Sequence, residues 1–86
     1  MYEQEVKVVN ATGLHARPSS QLTQLCKKFP EKITIVTPDK SVDPKSIISL
    51  LSGGVKAGTT VTVRVEGENE EAVAKEVCTF ISNLTD

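Results

Sequence analysis

Alternating apolar and polar positions predict the strands of this chain. The clearest run is Thr60–Glu66, in which valines occupy every second position. Because successive side chains of a strand point to opposite faces of a sheet, this run predicts a strand with one buried face. A looser alternation predicts a strand over 5–9, and β-branched residues predict one over 32–37. The turn signal Pro38-Asp39 predicts a short return strand over 40–42.

Apolar positions spaced three and four residues apart predict three helices. The plainest stripe lies near the carboxyl end and comprises Val73, Val77, Phe80, Ile81 and Leu84. Asn69 is predicted to cap this helix. Another helix is predicted over 16–28, where Pro18 is tolerated because amide hydrogens of the first turn have no helical partner. A short helix is predicted over 46–51, before Gly53.

The resulting order, β-α-β-β-α-β-α, predicts an α+β fold of two layers, an open-faced β-sandwich. One-faced helices can cover the apolar face of the sheet, and the other face stays open to water. A chain of 86 residues is expected to form a single domain over 1–86. Such a domain can bury a two-layer core but not a deep cleft. A surface site, and therefore a binding or carrier module, is favoured over a small-molecule enzyme.

Charge and composition narrow the classes of partner. Ten basic and eleven acidic side chains leave a net charge of −1, and there is no Trp, one Tyr and two Phe. A nucleic-acid partner is not expected, because both a basic face and a stacking platform are missing. No apolar run approaches the roughly 20 residues that span a bilayer. The amino-terminal residues also lack the pattern of a secretion signal, so we expect a cytoplasmic protein without membrane insertion.

The two cysteines do not predict a metal site. Cys26 and Cys78 stand far apart, whereas a metal site needs three or four ligands that are usually paired in sequence. Both fall on predicted apolar helix faces, Cys26 beside Leu22, Leu25 and Phe29. We therefore expect two reduced thiols in the core, and neither a metal nor a cofactor.

The segment 12–18, Thr-Gly-Leu-His-Ala-Arg-Pro, carries the candidate chemistry. Gly13 permits a tight turn, and His15, the only histidine, falls at the start of a predicted helix. Amide hydrogens of Ala16 and Arg17 would face an anion there. The Arg17 guanidinium adds a fork that matches phosphate oxygens. Since the pKa of a free histidine is about 6.5, its ring is a nucleophile at neutral pH, and the pattern predicts a phosphoryl acceptor.

Simpler interpretations remain open from spacing alone. His15 could be a polar cap or a surface residue, and Arg17 could pair with a nearby carboxylate. If a phosphoryl group is bound, the magnitudes favour a carrier over a hydrolase. A helix terminus contributes about 0.3–2 kcal/mol to an anion and a charge-assisted hydrogen bond about 1.5–3 kcal/mol, which hold a phosphohistidine without trapping it.

Three segments resemble the HPr family, the phosphocarriers of the bacterial phosphoenolpyruvate-dependent sugar phosphotransferase system. Gly-Leu-His-Ala-Arg-Pro at 13–18 looks like the family's active-site signature, and 45–54 is similar to its regulatory segment. Residues 57–61 and 66–71 fit its last strand and helix. The likeness covers the whole chain. It implies a four-stranded antiparallel sheet of order 1-4-2-3, covered on one face by three helices.

The resemblance also implies how the protein acts. His15 would be phosphorylated on Nδ1 by Enzyme I and would donate to sugar-specific enzyme IIA domains, as a stoichiometric carrier and not an enzyme. Arg17 and the amides of Ala16 and Arg17 would lie beside the phosphate, with the hydroxyl of Thr12 nearby. Family analogy favours a monomer.

Ser46 matches a serine that HPr kinase/phosphorylase modifies in many relatives. The modified form slows acceptance from Enzyme I and acts with the catabolite control protein. A phosphoserine favours a helix start, and its charge of roughly −2 would repel a phosphoryl donor. A plain N-cap serine is the alternative, and it has the same sequence pattern.

A docking surface is expected beside His15. Ile47, Ile48 and Leu51 would form an apolar patch, because a helix of about one and a half turns cannot bury all three. The same surface would include Ser20, Arg17 and Lys27, and Enzyme I and enzyme IIA domains would share it. A structural interpretation instead sends some of the apolar side chains into the core.

Some positions depart from the family pattern, and two alternatives to the phosphocarrier stay open. These positions are Ser19, Ser20, Gln24, Ser49 and Gly53, and they bear on partner preference. The first alternative is a specialised paralogue acting mainly as a regulatory interaction protein, against which His15 speaks. The second is a small phosphatase, whose expected Arg-Asn pair and water-positioning loop have no signature here.

Overall fold

Seven elements make up the fold. The computed structural model describes residues 1–9, 13 and 16–84. In chain order the elements are β1 (Tyr2–Lys7), α1 (Ala16–Cys26), β2 (Lys32–Val36), β3 (Ser41–Val42), α2 (Ile47–Ser52), β4 (Thr60–Glu66) and α3 (Glu70–Ser82). The strands form one antiparallel sheet in the order β1-β4-β2-β3. The predicted α+β architecture and strand order are confirmed.

The core lies between one face of the sheet and the helices. Val61, Val63 and Val65 of β4 are at most 1% exposed, as the alternation predicts. The helix α3 packs on β1 and β4, and α1 packs against α2 and α3. On the other face, Arg64 and Glu3 form an ion pair at 2.6 Å between neighbouring strands. No helix within the described residues is long and apolar enough to cross a bilayer.

The first strand lies nearer the amino terminus than the predicted 5–9. It begins at Tyr2 and ends at Lys7, because β4 provides ladder partners for that stretch. Beyond it, Val8 exchanges backbone hydrogen bonds with the Gly58–Thr59 turn, and Val9 is exposed. The half-buried side of β1 starts with a tyrosine and a glutamine, which a pattern of aliphatic residues does not reveal.

The first helix is two residues shorter than the predicted 16–28. After Cys26, the amides of Lys28 and Phe29 bond carbonyls three residues back, so the chain leaves the helix through a tight turn. Leu22 and Cys26 are fully buried as expected, whereas Leu25 and Phe29 are half-buried.

The start of α3 is held by a distant side chain. Asn69 occupies the predicted N-cap position, but its own side chain makes no capping hydrogen bond. Instead, the Asn69 amide donates to the Glu31 carboxylate, 3.3 Å away. Glu31 is only 6% exposed, and its side chain packs so closely on Gly67 that a Cβ there would lie 2.5 Å from the Glu31 Cγ.

Both cysteines are free and buried, as predicted. Burial raises the pKa of the Cys26 thiol to about 12, and it raises that of Cys78 to about 11. The thiols are therefore neutral at physiological pH and act as small apolar core residues.

Candidate functional site

Gly13 belongs to the segment that carries the candidate chemistry. It is buried and has a φ of +66°, a conformation that suits glycine. A Cβ at this position would overlap the Val55 carbonyl oxygen and would lie 2.9 Å from the Cα of Lys56. The turn that the sequence predicts at Gly13 is thus also a close backbone approach to the chain between α2 and β4.

The start of α1 presents exposed residues. The helix begins at Ala16, and both Ala16 and Arg17 are exposed while Pro18 is buried in the first turn. Amide hydrogens of a first helical turn lack intrahelical acceptors and form a positive end. His15, which directly precedes Ala16 in sequence, and Thr12 both lie outside the described residues.

Arg17 is not engaged by a carboxylate in the part of the chain that the structure describes. The three ion pairs there join the amino terminus to Glu70, Arg64 to Glu3, and Lys75 to Glu71. The alternative in which Arg17 pairs with a nearby acidic side chain finds no support among these residues. An exposed guanidinium at a helix start can therefore meet an incoming anion.

Ser46 is the N-cap of α2. Its backbone is extended, and its hydroxyl oxygen accepts a hydrogen bond from the Ser49 amide at 3.3 Å. The residue is half-buried, and its own amide donates to the carbonyl of Asp43. The Ser49 hydroxyl in turn accepts from the Asp43 amide at 2.8 Å. These bonds close the chain into a compact turn before the helix.

The predicted apolar patch is exposed on α2. Ile48 is 78% exposed, Leu51 44% and Ile47 37%, and Leu50 is the one described side chain of this helix that is fully buried. These exposures agree with the expectation that a helix this short cannot bury all three side chains. We call Ile47, Ile48 and Leu51 the α2 patch.

The polar residues expected around the patch belong to α1 and the turn after it. Ser20 is half-buried and Lys27 is exposed, and α1 packs directly against α2. Ser19 is fully buried, so only Ser20 of that pair adds polarity to the accessible surface. At the end of α2, a Cβ on Gly53 would lie 3.2 Å from the Val42 side chain, which accounts for a small residue there.

A groove of about 430 Å³ lies at the edge of β2. It is lined by Pro30, Lys32, Ile33, Thr34, Ser41, Val42, Asp43 and Lys45. None of the predicted site residues that the structure describes lines it. Among the described residues, no group of three His, Cys, Asp or Glu side chains could hold a metal ion.

Comparison with known proteins assigns the family. A family model described as the PTS HPr component phosphorylation site matches residues 2–83. The chain belongs to the HPr family. HPr proteins are phosphocarriers of the phosphotransferase system, and the match confirms the family resemblance that the sequence shows.

Individual HPr relatives agree in length and fold. The phosphocarrier protein HPr of Haemophilus influenzae is 31% identical over 84 residues, 98% of this chain and 99% of that protein. HPr-C-His from Thermoanaerobacter tengcongensis is 37% identical with a TM-score of 0.88, covering 94% of this chain and 91% of that one. The Bacillus subtilis catabolite repression protein Crh, described as a dimer with a swapping domain, is 33% identical with a TM-score of 0.75, covering 94% and 93%.

Sequence reasoning missed the long-range contacts around the candidate site. The Val55 backbone, which Gly13 approaches closely, lies outside the motifs that the sequence shows. Lys45 belongs to the recognised 45–54 segment, yet the sequence assigns it no contact, and its ammonium donates to the carbonyls of Phe29 and Glu31. Such contacts join residues far apart in the chain, so local patterns do not reveal them.

Proposed function

We propose that this protein is a phosphocarrier that accepts a phosphoryl group on His15 from phosphorylated Enzyme I and donates it to sugar-specific enzyme IIA domains. The observation that carries the proposal is the exposed start of α1, where Arg17 lacks a carboxylate partner among the described residues. His15 directly precedes this helix in sequence, and the family match includes it.

The proposed step needs little from the protein besides position and charge. The lone pair of a His15 ring nitrogen forms a bond to phosphorus while the bond between phosphorus and the donor breaks. The electron pair of the broken bond stays with the donor. The other ring nitrogen keeps its proton. Arg17 and the amides of Ala16 and Arg17 would bind the phosphate oxygens, and the Thr12 hydroxyl would lie beside them.

The test is transfer of label from phosphoenolpyruvate. With Enzyme I present, we expect acid-labile, alkali-stable label on the protein, which an added enzyme IIA domain then removes. The label should be lost in His15→Ala and kept in Ser46→Ala, a matched control on the neighbouring helix. Catalytic release of free phosphate would favour the phosphatase alternative. No label at all would favour the regulatory protein.

We propose further that Ser46 is a regulatory phosphorylation site. Its place at the N-cap of α2 supports this, because a phosphate there meets the positive end of the helix. HPr kinase/phosphorylase with ATP should place acid-stable label on the wild type and none on Ser46→Ala. The modified protein should accept more slowly from Enzyme I and bind the catabolite control protein. Unchanged acceptance would leave Ser46 as a plain helix cap.

The α2 patch, with Ser20 and Lys27 beside it, is proposed as the docking surface that Enzyme I and enzyme IIA domains use in turn. Exposure of the patch supports this role. We propose that the single domain over 1–86 is cytoplasmic and acts as a monomer, because a second copy bound to this face would block both partners. A dimer, as described for Crh, is the competing arrangement. Light scattering across protein concentrations distinguishes monomer from dimer.

A further inference from the structure

Few side chains of α2 pack into the core. Within its six residues, Ile47–Ser52, only Leu50 is buried, and the α2 patch faces outward. A helix this short gains little from its own hydrogen bonds, because the first turn of a helix is unfavourable to form. Its position on the domain must therefore depend on contacts outside the helix.

Most polar contacts near the start of α2 are local. The Ser49 amide donates to the Ser46 hydroxyl, the Asp43 amide donates to the Ser49 hydroxyl, and the Lys45 amide donates to Asp43 Oδ1. All of these bonds lie within residues 43–49. They fix the shape of the turn and the cap, but they do not fix where the turn sits relative to α1.

Lys45 makes the connection that the local bonds lack. Its Nζ donates to the carbonyl oxygens of Phe29 and Glu31, each 2.7 Å away, in the chain between α1 and β2. Apart from the Gly53 and Gly54 amides, which bond carbonyls at the end of α2, these are the only hydrogen bonds or ion pairs within 1–9, 13 and 16–84 that join residues 43–52 to the rest of the molecule. Bonds from an ammonium are shorter and stronger than neutral ones.

We propose that Lys45 is a positioning residue of the docking surface, because its ammonium ties the start of α2 to the chain that leaves α1. The α2 patch begins two residues after Lys45, so the tether limits how far the patch moves. A preorganised patch loses less conformational freedom when a partner binds. The partner role of the patch rests on the proposed function, whereas the tether itself does not.

Amide hydrogen exchange tests the tether without any partner. Lys45→Met keeps the aliphatic stem and removes the donors, and Lys28→Met, an exposed lysine near the end of α1, is the charge-matched control. We expect faster exchange at Leu50 and Gly53, whose amides bond within α2, and unchanged exchange in β4. Lys45→Arg, whose guanidinium also carries charged N–H donors, should keep exchange slow.

Phosphoryl transfer tests the consequence for docking. Lys45→Met should raise the KM of phosphorylated Enzyme I for this protein by about tenfold, the scale of one charge-assisted hydrogen bond. The kcat of the transfer should stay unchanged. Lys28→Met should leave both constants at wild-type values. Lys45→Arg should return KM towards the wild type. A fall in kcat with constant KM would contradict a docking role.

The two measurements separate the possible failures. If exchange in α2 stays at the wild-type rate in Lys45→Met, or rises equally in β4, the tether is wrong. If the wild type accepts no phosphoryl group, the proposed function fails while the exchange result still decides the tether. Should Lys45→Met not fold, Lys45→Gln, which keeps one neutral donor, is measured by the same criteria.

Discussion

At the scale of single residues, Gly13 shows why a small side chain is needed beside the candidate site. Its positive φ and its contact with the Val55–Lys56 backbone are separate demands, and both exclude a Cβ. Gly54 has a similar φ of +60°, but no atom lies within 4 Å of the position its Cβ would take. Comparing substitutions at the two glycines therefore distinguishes the cost of backbone strain from the cost of steric overlap.

Gly13→Ala should destabilise the protein more than Gly54→Ala. Strain alone costs about 1–3 kcal/mol at either position. The overlap with the backbone at Val55 adds to this cost only at Gly13, because a backbone has little room to move. Urea unfolding of both variants measures the difference. Equal losses of unfolding free energy would show that the close approach at Gly13 contributes nothing.

Arg17→Ala should impair transfer without loss of stability. The side chain is exposed and has no carboxylate partner among the described residues, so its removal leaves no buried group unpaired. Losing one charge-assisted hydrogen bond to phosphate, about 1.5–3 kcal/mol, should slow transfer by roughly 10- to 150-fold. Transfer kinetics and thermal melting are measured together. A lowered melting temperature would point to a structural role instead.

At the scale of the element, α2 combines one anchor with an exposed apolar face. Leu50 is fully buried, and the neighbouring positions 48 and 51 point to solvent. The two roles fall on different residues because successive side chains of a helix point about 100° apart, so Leu50 faces the core while Ile48 and Leu51 face outward. Stability and docking should therefore respond to different residues of the same helix.

Leu50→Ala and Ile48→Ser are expected to separate these two effects. Leu50→Ala should lower the free energy of unfolding by about 2–5 kcal/mol, the usual cost of emptying a buried leucine site. Ile48→Ser should change it by less than about 0.5 kcal/mol, since the side chain is 78% exposed.

The same pair should diverge in transfer assays. Ile48→Ser is expected to raise the KM of phosphorylated Enzyme I for this protein, because the substitution removes apolar area from the proposed docking surface. Its kcat should stay constant. An unchanged KM would remove Ile48 from the docking surface, whatever the result for stability.

At the scale of the whole molecule, the buried thiols couple stability to alkaline pH. Burial raises the pKa of Cys26 to about 12 and that of Cys78 to about 11, from an ordinary value of 9.0. Unfolded thiols therefore lose their protons before folded ones. The stability that neutral thiols confer is complete below pH 9, and it is lost as the pH rises through 9 towards 11 and 12.

The urea concentration at the midpoint of unfolding is therefore expected to decrease as the pH rises above 9. Lysines also titrate in this range, so the double variant Cys26→Ala/Cys78→Ala is the control. Its midpoint should be lower at neutral pH because cavities form, but it should decline less steeply between pH 9 and 11. Parallel declines in the two proteins would show that the thiols do not carry the effect.

The sequence alone determined the elements and their buried faces. Alternation marked Thr60–Glu66 as β4 with its bounds correct, and the stripe through Val73 and Val77 marked the buried side of α3. Periodicity succeeds there because each element buries one face, and that face repeats along the chain. The resemblance of 13–18 and 45–54 to a known family supplied the candidate site and the strand order.

Only the tertiary structure decided how the elements are joined. Gly13 against Val55, Lys45 on the Phe29 and Glu31 carbonyls, and Glu31 at the Asn69 amide all connect loops that are distant in sequence. Each contact involves one side chain or one backbone group, so it leaves no repeating pattern. Such contacts depend on where the packed layers bring the loops, and that follows from the fold as a whole.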